Sequence, residues 1–198
     1  IIEFINKNHD IKISIDSRSS EVINAFSSQN ILFVNDVSSG FHDMNMLKTV
    51  SHLKCNYIMT HMPAEHRKGL NKKYNNVLDE LNIFFNERIK SCIEQGIGKE
   101  KIIIDPGIGF GKSGDDNIKI LENINVLKSI HTNICIGSSN KRFSSKLFDG
   151  IETKDDLKVA NLATFAVSSL QGATYLRVHD VDITKDTTMI IDKVKNVS

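Results

Sequence analysis

What this sequence has little of narrows its class before any motif is read. Its 198 residues include only two prolines, Pro63 and Pro106, and no proline-rich or low-complexity stretch divides them. A single domain over residues 1–198 is the economical reading, and that length suffices for a sizeable core. The three cysteines, Cys55, Cys92 and Cys135, are odd in number and far apart. That spacing fits neither a disulfide framework nor a metal site, so reduced, buried thiols are expected. No apolar run approaches the ~20 residues of a membrane-spanning helix. Residues 1–7 carry no basic segment followed by an apolar stretch, so they do not read as a signal peptide. Cytoplasmic localisation is the default that follows. Excess charge is missing too: 25 Lys and Arg against 24 Asp and Glu leave a formal net charge of +1. Such a balance gives no reason to expect a nucleic-acid or membrane partner, and any anion must be held by a local cluster.

What is present is alternation. Short β-branched runs recur at 11–16, 31–36, 56–61, 101–105, 134–139 and 174–179. Several are apolar nearly throughout, as a strand covered on both faces requires. Helical patterns lie between them. In the clearest, Val77, Leu81, Phe84, Phe85, Ile89 and Cys92 step by three and four to form one stripe, which Gly96 is suited to terminate. Further helices are predicted near 20–28, 43–53, 116–128, 156–170 and 184–195, and residues 1–8 read as the end of another. Strands joined by helical crossovers make an α/β fold with a parallel sheet.

The polar residues fall in a pattern as well. Asp16, Asn35-Asp36, His61, Asp105, Ser138-Ser139 and Arg177-Val178-His179 each sit at the C-terminal end of a predicted strand. That edge is where parallel α/β folds bind ligands. One such residue is ordinarily a helix cap; six strand ends with acid, amide, imidazole, hydroxyl and guanidinium groups read as one pocket. Six strands are two short of an eightfold barrel, which typically needs ~250 residues. The expectation is a TIM-type (β/α)8 barrel represented by about six βα units, its first two strands absent.

Five ordered motifs now carry a resemblance. Ile103-Ile104-Asp105-Pro106-Gly107-Ile108-Gly109-Phe110-Gly111-Lys112 resembles the Asp-Pro-Gly-x-Gly-Phe-Gly-Lys signature of dihydropteroate synthases. Ser14-Ile15-Asp16-Ser17, Val34-Asn35-Asp36-Val37-Ser38, His61-Met62 and Leu176-Arg177-Val178-His179-Asp180-Val181 are similar to further segments of that family, in its order. The resemblance implies a transferase of folate synthesis. It would join 6-hydroxymethyl-7,8-dihydropterin pyrophosphate to p-aminobenzoate, with Mg²⁺ carried on the leaving pyrophosphate and no metal ligand within this chain. Catalysis would rest on positioning and on stabilising leaving-group charge.

The same resemblance implies the roles. Asp16, Asn35 and Asp105 would hydrogen-bond the pterin, an assignment that suits acceptor carboxylates and a two-way amide. Phe110 would lie beside the pterin and Lys141 would donate to it. Arg177 would lie against the ring and reach an anion. His179, two residues along the predicted strand and so on the same face, would join Arg177 on the pyrophosphate. Ser139 would stand near the p-aminobenzoate. Lys141, Arg177 and His179 are the implied catalytic set. A homodimer packed through the late helices is implied too.

Other residues read more plainly. Asp36 and Asp180 fit helix or turn caps, and His61 divides evenly between a structural and a substrate-side role. His9, His42, His52, His66 and His131 read as surface or loop residues, Phe84 and Phe85 as core, and Lys72-Lys73 as a solvated turn. Beside the absent opening strands, two further departures from the family pattern stand out. Ser139-Asn140-Lys141 replaces Ser-Arg-Lys, and Pro63-Ala64 follows His-Met in place of Arg-Gly. Each removes a cation. Two alternatives stay open: a pterin-binding methyltransferase domain serving a corrinoid protein, and an inactive truncated remnant of the synthase.

Overall fold

The computed structural model of the chain describes residues 2–9, 11–29, 31–137 and 153–195. Six strands are found among them where the sequence predicts six. β1 (Ile13–Asp16), β2 (Ile31–Asp36), β3 (Asn56–Thr60) and β4 (Ile102–Asp105) form one sheet in the order β1-β2-β3-β4. β5 (Cys135–Ile136) pairs with β6 (Tyr175–Leu176). The helices are α1 (Ile2–Asn8), α2 (Ser20–Asn24), α3 (Met46–Leu53), α4 (Val77–Glu94), α5 (Gly114–Glu122), α6 (Ile124–Leu127), α7 (Lys154–Leu170) and α8 (Val181–Lys195). The chain groups into two compact units, Ile1–His61 with Phe84–Ile104 and Met62–Ile83 with Asp105–Ser198.

The first unit is built on the sheet. Ile102, Ile103 and Ile104 are all buried, as a strand covered on both faces demands. β1 alternates instead, with Ile13 and Ile15 buried and Ser14 and Asp16 exposed. β1 and β2 run parallel, and their register sets Asp16 opposite Asn35. Asn35 in turn stands opposite Ile58 of β3. The predicted stripe of α4 holds, since Val77, Leu81, Phe85, Ile89 and Cys92 are buried. The helix ends as Gly96 predicts. The Gly96 N–H donates to the Ile93 carbonyl at 2.9 Å and the Ile97 N–H to that of Cys92 at 3.0 Å, a paired closure that needs the left-handed φ of +86° at Gly96. All three cysteines are buried, and none of them forms a disulfide among the described residues.

In the second unit two helices start earlier than their apolar periodicity predicts, and the cause is local. Ser113 and Thr153 each accept from the backbone N–H three residues on, while Asp116 and Asp156 reach back to the cap N–H. These capping boxes add a turn before the first buried apolar residue. α7 turns Ala160, Asn161, Thr164, Phe165 and Ser168 inward at helical spacing, and α8 packs against it.

Several expectations are corrected. β6 ends at Leu176 rather than continuing to 179, so strand alternation does not place His179 on the Arg177 face; His179 lies in an exposed bend. His131 is buried at 3% exposure instead of sitting at the surface, and its Nδ1 accepts from the Asn133 N–H at 3.1 Å. Lys72 is not simply solvated, because its Nζ stands 2.6 Å from Glu80 Oε1 and 5.3 Å from the Tyr74 ring centre. Phe85 is fully buried, whereas Phe84 is half-buried.

Candidate active site

Within the first unit the sequence-predicted residues separate by environment. Asp16 closes β1 and is exposed; its register partner Asn35 is buried at 2%. The next residue, Asp36, is fully buried and serves the turn after β2. Its Oδ1 accepts from the Ser38 N–H at 2.7 Å and the Ser38 hydroxyl at 2.6 Å. Its Oδ2 accepts from the Gly40 N–H at 2.7 Å and the Tyr57 hydroxyl at 2.8 Å. Burial, and then the Asp36 charge beside it, hold the Tyr57 hydroxyl well above its ordinary range. The cap reading of Asp36 therefore stands. His61 is 2% exposed and packs edge-on against Phe84, ring centres 4.8 Å apart, which favours its structural role.

The second unit carries the glycine loop. Asp105 ends β4, is fully buried, and accepts from the Gly107 N–H at 2.8 Å through Oδ1. Its Oδ2 accepts from the Arg177 guanidinium at 2.7 Å, with the Arg177 side chain 34% exposed. One face of a charged pair is thus buried and the other reaches solvent. Gly107, Gly109 and Gly111 all take positive φ, which turns the chain sharply past the carboxylate. Arg177 follows β6, where its N–H donates to the Ile136 carbonyl at 2.9 Å. Its guanidinium lies so close over Gly137 that a Cβ there would stand 2.5 Å from a terminal nitrogen. Phe110 is half-buried and meets the His66 ring edge-on, centres 5.0 Å apart. Predicted Ser139 and Lys141 lie outside the described residues, as does the Asn140 departure.

A carboxylate ending a buried strand, a triple-glycine turn and a guanidinium laid on that carboxylate come together here. A family model described as "Pterin binding enzyme" matches residues 1–179.

The chain belongs to the pterin-binding enzyme family.

Among members of this family, the dihydropteroate synthase of Haemophilus influenzae is 29% identical over 197 residues, covering 99% of this chain and 70% of that protein. The structure of Xanthomonas albilineans dihydropteroate synthase with 4-aminobenzoic acid matches all of this chain and 72% of that one, at 31% identity and a TM-score of 0.91. The same enzyme in complex with 7,8-dihydropteroate matches at 30% identity and a TM-score of 0.88, over 98% of this chain and 72% of that one. The (β/α)-barrel fold class expected from the sequence is the class of these pterin-binding enzymes.

Three residues of the site escaped sequence reasoning. Lys112 is buried at 4% although lysine is almost never fully buried. Asn117 is buried at 1% on α5 and accepts from the Gly109 N–H at 2.8 Å. His66 is the partner of Phe110, where the sequence reads as loop. Only Lys112 had a signal, its place inside the glycine motif, and that signal says nothing of burial. Among the described residues no group of three or more His, Cys, Asp or Glu side chains could hold a metal ion, and no helix is long and apolar enough to cross a membrane.

Proposed function

We infer that this protein is a dihydropteroate synthase, a transferase of folate biosynthesis. The arylamine nitrogen of p-aminobenzoate bonds to the pterin methylene carbon as the carbon–oxygen bond to pyrophosphate breaks and the amine loses a proton. The observation that carries this reading is the Asp105–Arg177 pair at the head of the glycine loop, in a chain of this family. A pterin offers its amino group and a ring N–H along one edge, and an acceptor-only carboxylate complements both. A planar guanidinium against Asp105 offers the ring a flat cationic face. Pterin binding would draw Asp105 away from Arg177 in part, freeing the guanidinium to meet the anionic leaving group.

The remaining roles rest on motif matches. Asp16 and Asn35, register partners, are assigned further hydrogen bonds to the pterin. Phe110 is assigned the ring edge, Lys141 a donor to the pterin, Ser139 the p-aminobenzoate, and His179 with Arg177 the pyrophosphate. Lys141, Arg177 and His179 are the proposed catalytic set. Mg²⁺ is assigned to the substrate pyrophosphate, and the location to the cytoplasm. A homodimer is the proposed assembly, supported by exposed Val159, Val167 and Leu170 on α7 and Val181, Ile190 and Val194 on α8. Analytical ultracentrifugation tests it: a monomer at micromolar concentration removes the dimer.

The decisive experiment supplies the protein with dihydropterin pyrophosphate, Mg²⁺ and labelled p-aminobenzoate. Label in dihydropteroate is the expected result. No product despite bound pterin overturns the synthase reading and points to the methyltransferase or the remnant.

A further inference from the structure

The glycine loop holds a buried charge that the reaction does not use. Lys112 Nζ donates to the Gly107 carbonyl at 3.0 Å and to the Phe110 carbonyl at 3.2 Å. Removing an ammonium from water is strongly unfavourable unless hydrogen bonds replace the lost hydration. A lysine placed here against that cost is doing something a buried leucine could not. The carbonyls it meets belong to a turn whose positive φ angles keep them out of any helix or sheet ladder.

The consequence falls on Gly107. Its N–H donates to Asp105 Oδ1 and its carbonyl accepts from Lys112, and also from the Phe110 N–H at 3.0 Å. With both polar ends held, its φ of +70° is fixed, and so is the direction of the N–H that orients the Asp105 carboxylate. Asn117 does the same two residues on: its Oδ1 holds the Gly109 N–H at 2.8 Å while its Nδ2 donates to the Ser113 carbonyl at 2.7 Å, tying the loop to the start of α5. A third tie follows at Gly111, whose carbonyl accepts from the Lys72 N–H at 2.9 Å.

We propose that Lys112 is a positioning residue: its buried ammonium, with Asn117, clamps the glycine loop so that Gly107 aims Asp105 at the pterin. The proposal rests on Asp105 being a pterin acceptor, so its test includes a readout that needs no substrate. Lys112→Met keeps the aliphatic stem and removes the donor. Amide exchange of the peptide spanning residues 105–111 is expected to speed up more than tenfold, with α4 unchanged. Exchange as slow as in the wild type overturns the clamp whatever the protein catalyses.

In the synthase assay the KM for dihydropterin pyrophosphate is expected to rise at least tenfold, with kcat reduced less than threefold. Lys112→Gln retains an NH₂ that can meet the same carbonyls, and should bring KM back to within threefold of wild type. A KM as high in Lys112→Gln as in Lys112→Met shows that donation is not the role and overturns the proposal, as does an unchanged KM in Lys112→Met. Should Lys112→Met not fold, the Lys112→Gln variant decides alone. KM within threefold supports the clamp, and a larger rise with unaltered melting temperature overturns it. A wild type that makes no dihydropteroate removes the synthase reading instead and leaves the exchange result standing.

Discussion

Two strand ends of this protein use the same local device for opposite purposes. After β2, Asp36 Oδ1 accepts from the N–H of Ser38 at 2.7 Å; after β4, Asp105 Oδ1 accepts from the N–H of Gly107 at 2.8 Å. Both are carboxylates turned back onto the backbone two residues ahead, and both are fully buried. They differ at the second oxygen. Asp36 Oδ2 meets the Gly40 N–H and the Tyr57 hydroxyl, donors that belong to the protein interior. Asp105 Oδ2 meets Arg177, a side chain one-third exposed to solvent. A sealed carboxylate stabilises a turn, and one held by a half-solvated cation can exchange that partner for a ligand.

Breaking the sealed site should have the largest effect. Asp36→Asn swaps an anion met by four donors for an amide whose NH₂ must face some of them. Stability is expected to fall by about 3 kcal/mol or more, read by urea denaturation, since removing one partner of a buried charge network strands the others. Asp105→Asn should do the reverse. The loss of folding stability is expected to stay under about 1.5 kcal/mol, because Arg177 can turn to water. Binding of 6-hydroxymethylpterin should weaken about 10- to 100-fold, roughly 1.4–2.8 kcal/mol, in a calorimetric titration. Unchanged affinity removes the role given to Asp105, and a larger stability loss in Asp105→Asn than in Asp36→Asn means the two carboxylates do not differ in this way.

A smaller effect is expected from the loop itself. At Gly111, φ is +59°, and a Cβ would stand 2.8 Å from Pro63 Cγ and 3.0 Å from His66 Cβ. Gly111→Ala should lower stability by about 1–2 kcal/mol through left-handed strain and crowding. It should also disturb Phe110, whose ring rests on His66. Gly69 makes the control: its φ is +72° but nothing lies within 4 Å of its would-be Cβ, so Gly69→Ala carries the strain without the crowding.

The contrast between the two aspartates was only half legible in the sequence. Periodicity located the six strands found among the described residues, because apolar runs bounded by polar turns survive without tertiary information. The Asp-Pro-Gly motif singled out Asp105, and the cap reading of Asp36 needed only its place before a turn. What periodicity lacks is the far end of each contact. Arg177 meets Asp105 at a sequence separation of 72, and Tyr57 meets Asp36 at a separation of 21. Burial of Lys112 and His131 was invisible for the same reason: residue type predicts exposure, and long-range packing overrides it. Helix starts at Gly114 and Lys154 could have been read from Ser113 with Asp116 and Thr153 with Asp156, had Asp been accepted in the acidic place of a capping box. The short β6 could not, since nothing in Leu176-Arg177-Val178 announces where pairing stops.

The mildest test uses alkali, and it bears on the sealed site alone. Burial pushes the Cys92 thiol up from 9.0 to about 12, with the Arg88 cation opposing and the Asp36 charge adding to the rise. Tyr57 is raised from 10.0 by burial and by Asp36. In the unfolded chain both groups lose their protons near their ordinary values, while the folded protein keeps them. The unfolded state then binds fewer protons, so stability must decline as pH rises. The contribution of Cys92 is fully present below pH 9 and lost progressively from there toward pH 12. Each such group steepens the slope by at most about 1.4 kcal/mol per pH unit. Urea midpoints measured from pH 8 to 11 should therefore fall, and Cys92→Ala should make the decline shallower above pH 9 while Asp105→Asn leaves it unaltered. A slope that Cys92→Ala does not change would mean that solvent already reaches the Asp36 neighbourhood, and that this carboxylate is no better sealed than the one at Asp105.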